Sequence, residues 1–307
     1  MKRILIYCVV AAMAAAVSCD DRNLDEEMVT SASGRYRIEL KGDPNAPGTR
    51  ITEAEDASAG LKTSWVPGEM INVMYFKDGT ASLAELTSPS GDDVFSGEVE
   101  SGEDVQAFRT SDLYCVSSSD RIHTRVSGTD AECTVDFSGQ DGSLGNVAAY
   151  ELMYVKGKAS EKLHFEHMTS LMKLTFSGLS GTAVHLTFTP SDNLSGQAMF
   201  ASQAVYTFGP GGTQVVPDDD IFYDMPETHL PVSGGKATVY LVIPARGKLT
   251  GELSVSLTCG SDTYRRYVKL AGKSFKACNV VARGETLTDD DLVPDIGDYV
   301  YSDGSWG

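Results

Sequence analysis

Apolar and polar residues alternate with a period of two through most of this chain, and that pattern restricts it to β-sheet folds. In such a stretch every second side chain lies on one face, so each segment predicts a strand with one face on a core. Clear cases are residues 172–176, 237–243 and 253–259. Turn signals such as Pro67-Gly68 and Asp78-Gly79 separate the strands. The repeated amphipathic helices that a parallel α/β sheet requires are not found, so the sequence predicts antiparallel β-sandwiches.

The first 18 residues predict a secretory signal peptide. Lys2 and Arg3 precede an apolar run that is too short to span a bilayer. The run from Ala14 to Cys19 then resembles a lipobox. We therefore expect Cys19 to become the first mature residue and to carry acyl chains such as palmitate, which anchor the protein in a membrane. The alternative is an ordinary signal peptide with an incidental cysteine.

Residues 19–34 predict a flexible, lipidated tether, because they are polar and acidic with little to bury. Acidic residues at this point also resemble the signal that sends lipoproteins to the cell surface in Bacteroides-like bacteria. The expected location is therefore the outer surface of the outer membrane. Loss of residues 1–18 removes Lys2 and Arg3 and changes the net charge from −18 to −20. Such a charge disfavours nucleic acid and anionic membranes as partners, which leaves the lipid as the expected membrane contact.

Roughly 270 structured residues suit two domains of ordinary size. A polar stretch at residues 157–162 predicts a boundary near residues 160–170, between an N-terminal sandwich at 35–165 and a C-terminal sandwich at 166–288. Residues 289–307 form a tail, in which alternating aromatic residues favour a partner-binding strand or a frayed end equally. Residues 42–60 are rich in Gly, Pro, Asp and Ala and predict an exposed connector around Arg50. The segment Val147 to Tyr154 fits either a short helix or a loop.

Four cysteines remain beyond the lipid site, two in each predicted domain: Cys115, Cys133, Cys259 and Cys278. An exported protein meets conditions that permit disulfides, and the pairs Cys115–Cys133 and Cys259–Cys278 are compatible with the two domains. The favoured alternative is four buried thiols that act as small apolar residues.

Signatures of catalysis and metal binding are poor, so we expect a protein that is not an enzyme and has no cofactor. His164 and His167 lie three apart in a strand-like stretch, which directs their side chains to opposite faces. The acidic runs 218–220 and 289–291 lack the ligand spacing of a calcium loop and predict solvated turns. Four aromatic residues gather in the second half and suggest either a carbohydrate-stacking surface or, more commonly, core: Tyr206, Phe208, Phe222 and Tyr223.

Several short motifs, taken in their order along the chain, resemble the fimbrillin family of Bacteroides and its relatives. Each is weak alone, and together they span roughly residues 30 to 285. They are Gly48-Thr49-Arg50, Trp65 with Pro67-Gly68-Glu69, Asp112 to Val116, Tyr150-Glu151-Leu152-Met153, Leu163 to His167, and Leu270-Ala271-Gly272-Lys273 with Phe275. Glu69 stands where the family usually has Asp.

This resemblance implies two transthyretin-like β-sandwich domains in tandem and a role as stalk, tip or anchor subunit of a surface fimbria. In such proteins a protease cuts after an arginine, the first strand leaves, and a strand of the next subunit takes its place. Arg50 is then the candidate cleavage point, with Arg35 and Arg37 as runners-up. The equal alternative is that Arg50 stays intact in a lipidated anchor or cap. From a different class, a monomeric glycan-binding surface lipoprotein is the second functional hypothesis.

Overall fold

The computed structural model describes residues 35–42, 51–56, 60–63, 65–179, 183–190, 201–217, 223–225, 230–244, 252–269, 280–287 and 291. These residues contain one α-helix, α1 (Gly102–Thr110), and one 3-10 helix (Leu144–Ala149). The strands are β1 (Tyr36–Gly42), β2 (Ile51–Asp56), β3 (Gly60–Thr63), β4 (Glu69–Lys77), β5 (Thr80–Ser88), β6 (Val94–Val99), β7 (Leu113–Ser118), β8 (Ile122–Ser127), β9 (Asp130–Asp136), β10 (Met153–Gly157), β11 (Lys162–Leu163), β12 (Glu166–His167), β13 (Thr169–Ser177), β14 (Ala183–Pro190), β15 (Gln203–Gly209), β16 (Gly212–Pro217), β17 (Tyr223–Met225), β18 (Lys236–Pro244), β19 (Glu252–Cys259), β20 (Asp262–Lys269) and β21 (Val280–Thr286).

The strands assemble into sheets, which confirms the all-β prediction. Among the described residues the largest sheet has the order β11-β1-β6-β5-β4-β7-β10-β12, and a second has the order β16-β15-β9-β8. Two further sheets have the orders β18-β13-β21 and β17-β14-β19-β20, and β2 pairs with β3. Pairing is antiparallel except for β1 with β11 and β13 with β21, within the part of the chain that is described.

The first core lies between one face of the eight-stranded sheet and α1. Val105 and Phe108, one turn apart on α1, are buried against the sheet. This helix was not predicted from the periodicity of the sequence, because it is only nine residues long. Its start is nevertheless encoded: the Ser101 hydroxyl accepts from the Asp104 N–H at 3.1 Å. That hydroxyl also donates to the Asp104 carboxylate, which, with Lys77 nearby, holds the pKa of Asp104 below its usual range.

The second large core lies between the two sheets built mainly from residues after 168. Alternate residues of β13, β18 and β19 face it, as the period of two predicted. They are Met172, Leu174 and Phe176; Ala237, Val239, Leu241 and Ile243; and Val255, Leu257 and Cys259. The predicted core-facing residues of β13, β18 and β19 are therefore correct.

A hairpin from the second half of the chain completes a sheet in the first half. β15 pairs with β9 from Gln203↔Asp136 to Phe208↔Ala131, and β16 extends the sheet beyond β15. These strands span the predicted boundary at 165/166, which itself stays a prediction, as does the transthyretin-like character of the domains. The segment Val147 to Tyr154 contains the end of the 3-10 helix and the start of β10.

Gln140 joins the two halves through its side chain. Its amide nitrogen donates to the Val242 carbonyl at 2.8 Å, and its amide oxygen accepts from the Val242 N–H at 2.8 Å. The Tyr240 N–H next to it donates to the Gly142 carbonyl at 2.9 Å. Because β18 is the outer strand of its sheet, these bonds cover part of an edge that would otherwise be open.

Cys115 and Cys133 are free thiols, buried in different cores. The possible Cys115–Cys133 disulfide is therefore absent, and the apolar interpretation is correct for these two residues. Cys278 lies outside the described residues, so the pair Cys259–Cys278 stays untested.

Burial predicts that both thiols are unreactive in the folded protein. It raises the pKa of Cys115 far above the usual value and that of Cys133 to about 12, although Thr124 beside Cys133 opposes the shift. We expect no alkylation of either residue by iodoacetamide at about pH 8, and complete alkylation in urea, measured by peptide mass spectrometry. The folded-state pKa lies above the unfolded value of about 8.5, so this contribution to stability is complete below that pH and is lost as the pH rises. Rapid modification of Cys115 in the folded protein would contradict the prediction.

Candidate functional site

β1 lies one position in from the edge of the eight-stranded sheet. It pairs antiparallel with β6 from Tyr36↔Val99 to Lys41↔Val94. On its other side, its last two residues pair in parallel with the short β11. A further bond runs from the Gly42 N–H to the Asp93 carbonyl at 2.6 Å. β1 is therefore held along its length by one neighbour and only at its end by the other.

The inner face of β1 covers part of the first core. Ile38 and Leu40 are 4% and 1% exposed, and Leu40 lies opposite the buried Phe95. Burial of two such side chains contributes about 1.5–3 kcal/mol each. Beneath this region Trp65 makes edge-to-face contacts with Phe95 and Phe165, at centroid distances of 4.8 Å and 5.3 Å. Removal of β1 would expose an apolar groove about one strand wide.

The outer face of β1 is mainly basic, and two glutamates lie near it, Glu98 in β6 and Glu100 just after that strand. Residues 35–42 contain Arg35, Arg37 and Lys41 against one acid, Glu39. The Arg35 guanidinium lies 3.6 Å from the Glu100 carboxylate, and Arg37 lies opposite Glu98 in the ladder. Both side chains of the Arg35–Glu100 pair are exposed, so the pair contributes at most about 1 kcal/mol. The charges of β1 complement those beside it, but they contribute little to the stability of its pairing.

Removal of β1 would leave a defined acceptor. The edge of β6 would present unpaired N–H and C=O groups, and the cores below would present apolar side chains. An extended segment with apolar residues at alternate positions would pair with these backbone groups and cover these side chains. Tyr36, Ile38 and Leu40 have this arrangement in β1. β1 was not among the predicted strands, and the alternation of these apolar residues with charged ones is the signal for it in the sequence.

The predicted site residues are placed unequally. Cys19 and Arg50 lie outside the described residues, so lipidation and cleavage stay predictions. Arg35 immediately precedes β1, and Arg37 lies within it, with its guanidinium 2.8 Å from the Glu39 carboxylate.

Two of the family-like motifs meet in space. β10 and β12 pair through Met153↔His167, and the His167 ring nitrogen Nδ1 lies 3.3 Å from a carboxylate oxygen of Glu151. Both side chains are at least nine-tenths buried. His164 is exposed, so the predicted separation of the two histidines is confirmed. The motifs thus serve a structural contact at the end of the eight-stranded sheet.

The aromatic residues considered for glycan stacking fill the core where their side chains are described. Tyr206 and Phe208 are 1% and 0% exposed, and Tyr154 stacks on Phe208 at a centroid distance of 4.3 Å. Phe222 lies outside the described residues, and Tyr223 belongs to β17. No observation on these residues favours a glycan site.

One of the acidic runs departs from expectation. Asp291 is not a solvated turn residue: its side chain is 9% exposed, and its carboxylate lies 3.0 Å from the Arg266 guanidinium. Residues 218–220, 289 and 290 lie outside the described part. Among the described residues no cluster of three His, Cys, Asp or Glu side chains is placed to hold a metal ion. The same residues include no helix with the length and apolar character needed to cross a membrane.

Comparison with known proteins gives a match at the level of the fold. No protein-family model and no curated protein matches the chain. A putative cell adhesion protein from Bacteroides ovatus is 12% identical with a TM-score of 0.52, and the match covers 83% of this chain and 94% of that one. A putative cell adhesion protein from Bacteroides uniformis is 14% identical with a TM-score of 0.50, covering 86% and 96%.

A lower-scoring match is a fimbrial protein from Bacteroides ovatus, with 12% identity, a TM-score of 0.37 and coverage of 85% of this chain and 53% of that one. The matches to the two putative cell adhesion proteins extend over nearly the whole of each solved structure and over most of this chain. The chain therefore shares the fold of these two Bacteroides proteins.

Proposed function

We propose that this chain is a surface-exposed lipoprotein that serves as a fimbrial subunit, assembles by β-strand addition and contributes to cell adhesion. The observation that carries the proposal is β1, a strand next to a sheet edge that precedes the segment containing Arg50. The shared fold supports an adhesion role, because the two solved proteins are described as putative cell adhesion proteins.

Arg50 fits the proposal better than the two earlier arginines. A cut after Arg50 would detach β1 whole, together with its buried Ile38 and Leu40. A cut after Arg37 would leave residues 38–42 paired with β6, and the groove would stay filled. A cut after Arg35 would leave the whole of β1 in place.

Membrane anchoring in this proposal depends on Cys19. Acyl chains there would carry the subunit to the outer membrane and hold it at the cell surface until a cut after Arg50 released it. A subunit that kept residues 19–50 would stay anchored with its groove closed. In this proposal an uncut chain acts as an anchor, and a chain cut after Arg50 acts as a polymerising subunit.

The test is the intact mass and N-terminal residue of the protein from whole cells, together with gels of unheated samples. We expect wild-type chains that begin at Ile51 and form ladders, because strand-exchanged sheets resist detergent without heat. Arg50→Ala should yield chains that begin at Cys19 and form no ladder. The double variant Arg35→Ala, Arg37→Ala is the matched control, and it should be cut and assemble as wild type.

Two outcomes would each contradict a different part of this proposal, one the cleavage and the other the release of β1. Wild-type protein that begins only at Cys19 would exclude opening by proteolysis and would assign an anchor or cap. Ladders that persist in Arg50→Ala would show that assembly does not depend on release of β1. Loss of labelled palmitate in Cys19→Ser tests the lipid site separately.

A further inference from the structure

The outer strands of the sheets differ in how they are protected from pairing with other chains. Exposed edges commonly carry charged side chains, which oppose such pairing. Among the outer strands that the structure describes, all but one contain a charged or histidine residue; they are β2, β3, β8, β11, β12, β17, β18, β20 and β21. β18 is also partly covered by Gln140 and Gly142. The exception is β16, whose sequence is Gly-Thr-Gln-Val-Val-Pro.

β16 is exposed on both of its faces. Val215 lies opposite the buried Tyr206, and Val216 lies opposite Val205, so the two valines point to opposite sides of the sheet. They are 39% and 65% exposed. No described element packs over either valine closely enough to bury it. β16 therefore offers backbone groups along one side and apolar surface above and below them.

We propose that the free edge of β16 is a self-association surface, at which two copies of this chain pair antiparallel and join their β16-β15-β9-β8 sheets. This proposal is independent of cleavage at Arg50. In a symmetric antiparallel pair each strand meets itself, so a charged strand places like charges close together. β20 would bring Arg265 and Arg266 near the same residues of its copy, whereas β16 brings Thr, Gln and Val together.

A net charge of −18 makes two copies repel each other, so pairing is favoured only where the contact adds no further pair of like charges. Among the outer strands that the structure describes, the uncharged β16 meets that condition, although Asp218, Asp219 and Asp220 follow it directly in the sequence. At the other end of the same sheet β8 carries Arg125 and His123. Pairing at β16 alone closes a dimer and does not continue into a filament. Pro217, which has no N–H, limits the paired segment to about five residues.

The test uses sedimentation velocity of the chain from residue 20 onward, at about 10 µM to 1 mM protein and in low and high salt. So small a contact predicts a weak dimer, because specific interfaces usually bury at least about 1,200 Å². We expect the dimer fraction to rise with protein concentration and with salt, because salt screens the repulsion between the acidic copies. Val216→Lys should weaken dimerisation at least tenfold, since it removes the most exposed valine of the edge and places a charge in the contact.

Ser127→Lys is the matched control, because it adds the same charge to the exposed end of β8 in the same sheet. It should dimerise as wild type, and circular dichroism should show that both variants fold. A chain that stays monomeric at every concentration and salt level would overturn the proposal. A dimer that Val216→Lys leaves unchanged would also overturn it, because the contact would then lie elsewhere.

Discussion

Replacement of Trp65 by alanine is expected to lower the free energy of unfolding by about 3–5 kcal/mol, the range for removal of a large buried aromatic side chain. Trp65 is 7% exposed and makes edge-to-face contacts with two phenylalanines. The variant loses the buried area and leaves a cavity beneath the sheet. Those contacts add about 0.5–1.5 kcal/mol each beyond the area itself. Urea unfolding followed by circular dichroism measures the change.

Two control variants separate this packing effect from a general effect of substitution. Trp65→Phe keeps part of the ring contact with Phe95 and Phe165 and should lose less stability than the alanine variant. The neighbouring Val66 is 42% exposed, so Val66→Ala should change stability by no more than about 0.5 kcal/mol. If the free energy of unfolding of Trp65→Ala lay within about 1 kcal/mol of the wild-type value, the aromatic cluster would not stabilise the core beneath β1.

The same residue shows what could be predicted from sequence and what could not. Trp65 followed by Pro67-Gly68 resembles a family motif, but the contacts that explain it come from Phe95 and Phe165, which lie far along the chain. Period-two alternation predicted strands β13, β18 and β19 because their inner faces are uniformly buried. Local pattern determines which residues face a core, and it carries no information on which strand lies next to which.

Non-local pairing explains the remaining differences. β15 and β16 look like any hairpin in sequence, yet β15 pairs with β9 from the first half of the chain. α1 has too few residues for a periodic signal, although its capping serine marks its start. For the candidate site, the lipobox and Arg50 are visible as motifs, whereas the groove depends on β6 and β11 lying on either side of β1.

Replacement of Gln140 by alanine is expected to cost about 2–4 kcal/mol, although the residue belongs to no recognised motif. The side chain is buried and satisfies the N–H and the carbonyl of Val242, and it also donates to the Phe137 carbonyl at 3.2 Å. A buried polar group that loses its partner costs about 1–3 kcal/mol. Gln140 and Val242 are 102 positions apart in the sequence, so truncation also loosens the contact between the two halves. Urea unfolding and hydrogen exchange at Val242 measure both effects.

Gln140→Glu tests whether hydrogen bonding, and not side-chain volume, causes the loss. A carboxylate still accepts from the Val242 N–H, but it cannot donate to the Val242 carbonyl and would face that oxygen with a negative charge. The variant should be destabilised near neutral pH. Its deficit relative to wild type should shrink as the pH falls, because burial against carbonyl oxygens favours the protonated acid, which regains one donor. Equal stability of Gln140→Glu and wild type near pH 7 would show that the amide donor does not hold β18, and the edge of that strand would then depend on Gly142 alone for its protection.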